Sequence, residues 1–454
     1  MSNSQQLLLT TDFNSLINWS VSFILETNIE YNPKYKLYRI GDFLHKCQSP
    51  LTVQADQQYK RIKVKINGNG VELRDITKGS QIGTKKQNEV SAGQFIMSKI
   101  DARNGAFGII PEELHGAIAT NDFPIFTINT NIINPDFFIR ITSTSQFIKF
   151  AKSCSSGTTN RQRIDINKFL DVKIPLPDIR EQNEIIKNYN KLTDQIELNK
   201  AKVKTLKKQI NTFIYSSLGI KDFQPKESNK LLRFSDYCSI SNWKPSVFDS
   251  QNWISSSKYE ITSLNTSNTE FIIRGKSPQY STNSNSIILN QKCNRLNEIT
   301  LDYAKTVNST WLNQFDDNIL TQQNDLLINS TGEGTIGRAS WIPEIYSGLL
   351  YDSHLLLVRP IETKINGYFL TELFNTKFIQ LQIDLIKSAK STKQTELGVA
   401  NLKKIKFPLP PVDVQYEIAK EIKELKSKKQ KLDQEIIYLY SKAKDYVNNT
   451  LFAK

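Results

Sequence analysis

At 454 residues the chain exceeds one typical domain and is long enough to bury substantial cores, so two or three domains are expected. Lys and Arg number 59 against 45 Asp and Glu, a formal charge of +14 that favours a polyanionic partner. Cys47, Cys154, Cys238 and Cys293 are scattered without a C-x-x-C pair, and His45, His115 and His354 lie far from metal-ligand spacing; this excludes a disulfide framework and a structural metal site and implies reduced, cytoplasmic thiols.

The chain opens MSNSQQ, without the cationic start of an export signal, and its apolar run at 16–25 is too short and too polar to span a bilayer. No later segment reaches the roughly twenty apolar residues of a spanning helix, so a soluble protein with no membrane partner is expected. Residues 13–19 (FNSLINW) return as 237–243 (YCSISNW), the first sign of an internal repeat. Residues 61–71 (RIKVKINGNGV) alternate Lys with Ile and Val, predicting a half-buried strand leading into an Asn-Gly turn. Gly93-Gln94-Phe95-Ile96 and Ile110-Pro111-Glu112 are matched by Asn324-Asp325-Leu326-Leu327 and Ile342-Pro343-Glu344. Between these markers the glycine pairs of 104–108 (NGAFG) and 333–337 (EGTIG) fall in corresponding loops, where glycine permits tight turns and close approach of backbone to another molecule. Short apolar strands are predicted at 123–128 and 355–358, a helix at 136–152 with a longer counterpart at 367–389, and a linker at 216–230, where glycine, proline and charge combine.

The clearest repeat is KIPLPDIREQNEII from Lys173, answered by KFPLP from Lys406 and then VDVQYEIAKEI. Proline fixes φ, lacks an amide donor and biases its predecessor away from α, so a long helix begins just after each Pro-x-Pro pair. Ile185, Tyr189, Leu192, Ile196, Asn199, Val203, Leu206, Ile210 and Phe213 alternate by four and three, as do Ile418, Ile422, Leu425, Lys429, Leu432, Ile436, Leu439, Ala443 and Tyr446. A 3.5-residue period kept for about four heptads predicts a coiled-coil seam. Each seam has one polar member, Asn199 or Lys429, and an antiparallel register that aligns them places Leu192 against Ile436 and Ile196 against Leu432; a matched polar layer is a way of fixing register. The fold class is therefore mixed α/β (α+β): two tandem globular domains, each followed by a long helix. The expected boundaries are 1–176, 177–216, 217–403 and 404–454.

Catalytic motifs are missing. Residues 332–339 (GEGTIGRA) have the outer glycine spacing of a phosphate-binding loop, but Arg338 and Ala339 stand where Lys and Ser/Thr are required. Glu421-Ile422-Lys423 has a nuclease-like Glu-x-Lys form, yet Ile422 belongs to the seam, and neither a methyl-donor loop nor an Asn/Asp-Pro-Pro-aromatic tetrapeptide occurs. Polar clusters instead suit base or phosphate contact. In the first half these are Tyr59, Lys60, Arg61, Lys78, Lys85, Lys86, Gln87, Lys99, Arg103, Asn104, Asn160 and Arg161. In the second they are Arg274, Lys276, Ser277, Gln291, Lys292, Ser330, Thr331, Arg338, His354, Lys393 and Gln394. Arg and Lys pair with guanine O6/N7, Asn and Gln with adenine N6/N7, and all of them can hold phosphates.

The paired PLP-to-helix junctions, the strings YKRIKVKINGNGVELRD, SKIDARNGAFGIIPEE and TNDFPIF, and the later IIRGKSP, ILNQKC, DLLINSTGEGTIGRASWIPE and DSHLLLVRP resemble the DNA-specificity (S) subunit of type I restriction-modification systems over nearly the whole chain. The resemblance implies two target recognition domains (1–176 and 217–403), central and C-terminal helical spacers (177–216 and 404–454) that pair as an antiparallel coiled coil, and one pseudo-twofold molecule reading a bipartite asymmetric site in double-stranded DNA. It also implies two methyltransferase (M) and two restriction (R) subunits as partners. S-adenosylmethionine, ATP and Mg would reside on those subunits, with no cofactor on this non-catalytic chain. A coiled-coil scaffold without DNA specificity and a self-contained methyltransferase or nuclease are the alternatives.

Overall fold

The computed structural model describes residues 32–156, 163–221, 257–295, 297–386, 388–389 and 395–452. The repeat at 13–19 and 237–243, most of the linker, and Asn160, Arg161, Lys393 and Gln394 lie outside the described residues. The chain forms two compact units, one of residues 1–200 with 434–454, the other of 201–433.

In the first unit β1 (Lys36–Arg39) pairs antiparallel with β13 (Lys173–Leu176), the strand that ends in the first Pro-x-Pro junction. A four-stranded antiparallel sheet runs in the order β2 (Leu44–Cys47), β10 (Ile125–Ile128), β7 (Phe95–Met97), β8 (Phe107–Ile109). Its inner strand β7 is buried at every residue, which accounts for the unbroken apolar run Phe95-Ile96-Met97. Phe95, Phe107, Phe126, Phe138, Phe147 and Phe169 meet at ring-centroid distances of 5.0 to 6.1 Å, mixing edge-on, tilted and stacked pairs. Each contributes about 1.5–3 kcal/mol by burial and about 0.5–1.5 kcal/mol more by ring pairing.

A second sheet is added on, five strands in the order β3 (Pro50–Thr52), β6 (Lys86–Glu89), β9 (Ile118–Ala119), β4 (Gln58–Val64), β5 (Val71–Lys78). The RIKVKINGNGV stretch is thus the end of one strand, a turn and the start of the next. Asn67 and Gly68 both take positive φ, 61° and 68°, as a tight hairpin turn requires, and a side chain at Gly68 would also run into Ser143.

The helix predicted at 136–152 is two helices, α1 (Pro135–Thr142) and α2 (Ser145–Ser153). Thr144 breaks it by leaving the helical region and capping the amide of Phe147 with its hydroxyl at 3.2 Å. A two-stranded ribbon, β11 (Ser155–Ser156) with β12 (Arg163–Ile164), and α3 (Ile166–Asp171) then lead into β13. The helix α4 (Ile179–Leu218) starts after the prolines, with the Asp178 carboxylate accepting the amide of Glu181 at 2.9 Å.

The second unit repeats this plan. β14 (Ile261–Thr262) pairs with β24 (Phe407–Pro408), and the main sheet has the same order: β15 (Thr269–Arg274), β21 (Leu355–Pro360), β18 (Leu326–Asn329), β19 (Ala339–Trp341). Its helical insert is likewise broken, into α6 (Gly367–Phe374) and α7 (Lys377–Ile386); α5 (Ser309–Leu312) precedes it in the chain. The ribbon β22 (Ser388–Ala389) with β23 (Thr395–Glu396), then α8 (Val399–Leu402), complete the parallel, and α9 (Val412–Leu451) follows the second junction. The added sheet differs, being three strands in the order β17 (Lys305–Thr306), β16 (Ile287–Leu289), β20 (Leu350–Tyr351).

A buried glutamine ties helix to domain through the main chain in each unit. Gln182, fully buried, accepts the amide of Asn134 at 2.8 Å and donates to the carbonyls of Ile132 and Pro177 at 2.9 and 3.0 Å. Gln415 does the same with Asn366, Lys364 and Pro410 at 2.9, 2.9 and 2.8 Å. Asn134 and Asn366 are themselves the N-caps of α1 and α6.

The seam positions turn inward as their spacing predicts. Ile185, Ile196, Asn199, Val203, Ile210, Ile418, Ile422 and Leu439 are buried, and Leu192, Leu206, Leu425, Lys429, Leu432 and Ile436 are half-buried. In the first unit α4 and the end of α9 run antiparallel: Asn188 Nδ2 donates to Tyr446 Oη at 3.2 Å, and Lys200 Nζ lies 5.2 Å from the Tyr440 ring. The register that aligns Asn199 with Lys429 is corrected here. Ile196 shares a cleft with Tyr440 and Ala443, about two to three helical turns beyond the Leu432 expected. Each side chain finds a partner on its own helix, Gln195 Nε2 donating to Asn199 Oδ1 at 3.0 Å and Lys429 Nζ pairing with Asp433 at 2.7 Å, while Asn199 Nδ2 is buried without a hydrogen-bond partner.

Candidate nucleic-acid interface

In the first unit the β4–β5 hairpin is an edge ribbon of the added sheet. A bulge at Arg74 keeps Arg61, Lys63 and Lys65 on one face opposite Asp75 and Glu72. Arg61 Nε and Nη2 donate to the two oxygens of Asp75 at 2.7 and 2.8 Å, and Thr77 Oγ1 donates to the same carboxylate at 2.7 Å. These bonds, that from Arg61 foremost, hold the Asp75 carboxyl below its ordinary range. Lys63 and Lys65 share Glu72 at 3.0 and 2.8 Å, which lowers that carboxyl too. The hairpin tip is tied to the NGAFG loop, with the amides of Asn67 and Gly68 donating to the carbonyls of Asn104 and Gly105 at 2.8 and 2.9 Å. The glycine loop and the basic hairpin, separate clusters in the sequence, form one surface.

Lys60 and Lys78 are exposed on the other face of the hairpin, Lys60 Nζ donating to the Glu113 carbonyl at 3.1 Å. Lys85 and Lys86 are exposed, though the Lys85 ammonium is held by the Gly79 carbonyl at 2.7 Å. Asn104 is exposed at the loop, with Lys99 and Arg103 half-buried beside it.

In the second unit the candidates gather at the end of the main sheet. Arg274 Nη2 donates to Ser330 Oγ at 2.5 Å and ion-pairs with Glu396. Thr331 Oγ1 meets His354 Nδ1 at 2.7 Å and Gln291 Oε1 at 3.3 Å. Gly275 lets the chain lie flat on the backbone of Tyr351 and Asp352, where a Cβ would overlap both carbonyls. That contact brings Lys276 beside Asp352, whose carboxyl burial pushes up against the opposing hydrogen bond from the His354 amide. Lys276 Nζ also lies 5.7 Å from the Phe315 ring. Ser277 and Lys292 are exposed nearby in the chain, and Arg338 is half-buried with its Nε enclosed and unbonded.

Three sequence-selected residues point inward, their polar groups already used by the protein. Tyr59 is buried, its hydroxyl accepting the Gln54 amide and donating to Gln57 at 2.9 and 2.8 Å. Gln87 is buried and donates to the Thr84 carbonyl at 2.8 Å, and Ser330 is buried between Arg274 and the Leu397 carbonyl. Asp75, Thr77 and Glu396 were missed, because a carboxylate or hydroxyl near arginines in space gives no local sequence signal. Among the described residues, no His, Cys, Asp and Glu group of three or more could hold a metal ion, and no helix is long and apolar enough to cross a membrane.

Two domains of one plan, each with its own added sheet and a surface of arginine, lysine and amide groups, define a tandem protein whose halves share a scaffold and differ in the surface they present. The family described as "Type I restriction modification DNA specificity domain" matches residues 32–208 and 244–439, and the chain belongs to that family. Among curated proteins, it is 25% identical over 154 residues to the type I restriction enzyme HindI specificity subunit of Haemophilus influenzae, covering 33% of each chain. It is 33% identical over 114 residues to the putative type I restriction enzyme MjaX specificity subunit of Methanocaldococcus jannaschii, covering 24% of this chain and 26% of the relative. These matches span about a third and a quarter of the curated relatives. A solved chain, described as giving the structural basis of complex assembly and conformational transition of the type I R-M system, shares the fold, with a TM-score of 0.58 at 13% identity over 92% of this chain and 98% of that one.

Proposed function

We propose that this chain is the sequence-specific recognition subunit of a type I restriction-modification complex, reading a bipartite, asymmetric site in double-stranded DNA with one half-site per domain. It is non-catalytic. It docks two methyltransferase and two restriction subunits, and S-adenosylmethionine, ATP and Mg act on those partners in the cytoplasm. Residues 1–176 and 217–403 serve as the target recognition domains, and 177–216 and 404–454 as the helical spacers.

The observation that carries this reading is a shared main sheet with a different added sheet in each unit: five strands bearing the basic hairpin in one, three strands in the other. A common scaffold with divergent surface chemistry is what two different half-sites demand. The test is to co-express the chain with its methyltransferase subunit and map the methylated bases, then exchange residues 217–403 for those of a relative. One half-site should change and the other stay. Loss or change of both removes modular reading, methyl transfer by the purified chain alone would make it an enzyme, and binding without sequence preference at physiological salt would leave a scaffold.

A further inference from the structure

We infer that Arg61 is a base-reading residue of the first unit, held by Asp75 and Thr77 so that the tip of its guanidinium selects a guanine in the major groove. This rests on the DNA-recognition reading above and names the residue and base through which one half-site is read.

A guanidinium carries five N–H groups in a rigid fork, and Asp75 takes the pair on one side, from Nε and Nη2. That leaves the pair at the tip, one N–H on each Nη, and no other side chain among the described residues bonds to Arg61. Two parallel donors at fixed spacing match the two acceptors of guanine, O6 and N7, whereas adenine offers a donor where guanine has O6. An unsupported arginine must order several torsions on binding, and Asp75 has already ordered them. Thr77 fixes the carboxylate in turn, so the chain of support is complete within the hairpin.

The setting agrees. Side-chain exposure is 27% for Arg61 and 35% for Asp75, so the pair is open to a partner yet supported on one side. A surface ion pair of this kind adds little stability of its own. The pair sits on a two-stranded ribbon at a sheet edge, an element the major groove admits, and Lys63 and Lys65 lie farther along the same face within reach of phosphates. The second unit holds a comparable device on an unrelated strand, Arg274 supported by Glu396 and Ser330.

The test uses the full-length chain assembled with its methyltransferase subunit and a pool of randomised duplex DNA. The wild-type complex should select one bipartite sequence. Arg61→Lys keeps the charge but loses the fork, and should lower discrimination at one G·C pair by about tenfold or more, leaving the other positions and the salt dependence unchanged. Asp75→Asn and Thr77→Val should relax the same pair by smaller factors, and they carry the test if Arg61→Lys does not fold. Unchanged selection in every folded variant, relaxation at an A·T pair, or a uniform loss with a shallower salt slope would overturn the inference and leave the DNA-recognition reading standing. Failure of the wild-type complex to select any sequence would remove that reading and the inference with it.

Discussion

Gln182 and Gln415 carry no charge and are fully buried, and from equivalent places in the two junction repeats each bonds three backbone groups, buried or half-buried, at the joint between a domain and its helix. Truncating a buried partner leaves the others unsatisfied, at about 1–3 kcal/mol per group. Gln182→Ala should therefore lower the stability of the first unit by about 3 kcal/mol in a denaturant titration, and a loss under about 1 kcal/mol would mean that water replaces the side chain. Arg359 and Asp325 form the other buried joint, paired at 2.8 Å within the second unit's sheet region. Arg359→Met should cost about 3–5 kcal/mol by stranding a buried carboxylate, and adding Asp325→Leu should recover much of it. Burial pushes the Cys154 thiol up to about 11. A raised pKa keeps the folded group neutral, so its contribution is full below about pH 8.5, where an unfolded thiol ionises, and is lost as pH rises toward 11. Iodoacetamide at pH 8 should leave Cys154 unmodified in the native chain and modify it in urea; rapid native labelling would place the thiol at the surface.

Among the elements, the long helices were the most legible, since prolines at both junctions and a 3.5-residue period state where each helix begins and which face it buries. Their register was not. Matching Asn199 to Lys429 assumed that polar seam residues seek each other, but Gln195 and Asp433, each four residues away on the same helix, engage Asn199 Oδ1 and the Lys429 ammonium, and Asn199 Nδ2 stays buried and unbonded. In a cysteine-free background, cysteines at Asn188 and Tyr446 should be joined readily by a short bismaleimide, and cysteines at Asn188 and Tyr440 poorly. The opposite result would restore the polar-layer register. The broken helices were illegible for a related reason: Thr144 is a tolerable helix residue by propensity, and only its cap bond to Phe147 reveals a boundary.

At the scale of the whole molecule, the duplication was readable because both copies keep their Ile-Pro-Glu markers and Pro-x-Pro junctions, and the equal strand order of the two main sheets follows from it. Of the added sheets only the β4 strand and its turn were readable, from the alternation at 61–71; strands as short as Ile118–Ala119 or Lys305–Thr306 carry too few residues for a period. The DNA-facing candidates were half legible. Residue type picked out Arg61 and Arg274, but the carboxylates that hold them come from other strands. Bulk charge acts differently from such reading. Replacing Lys85 and Lys86 by Ala should weaken DNA binding similarly for all sequences and flatten its salt dependence. The single variant Lys86→Ala should account for most of the effect, because the Lys85 ammonium is already given to Gly79.

The glutamine joint has a consequence for how such a chain can change. Every bond that Gln182 and Gln415 make to the domain ends on main-chain atoms, so these two side chains sense the path of the backbone; in the first unit the neighbouring Glu181 and Asn183 bond side chains of Lys34, Tyr35 and Asn134. A domain of unrelated surface sequence can be spliced onto the same helix, provided that it brings the same turn before its first capped helix. Compatibility through the glutamine is then independent of what the domain reads, and new combinations of domains need refit only the few side-chain bonds beside it.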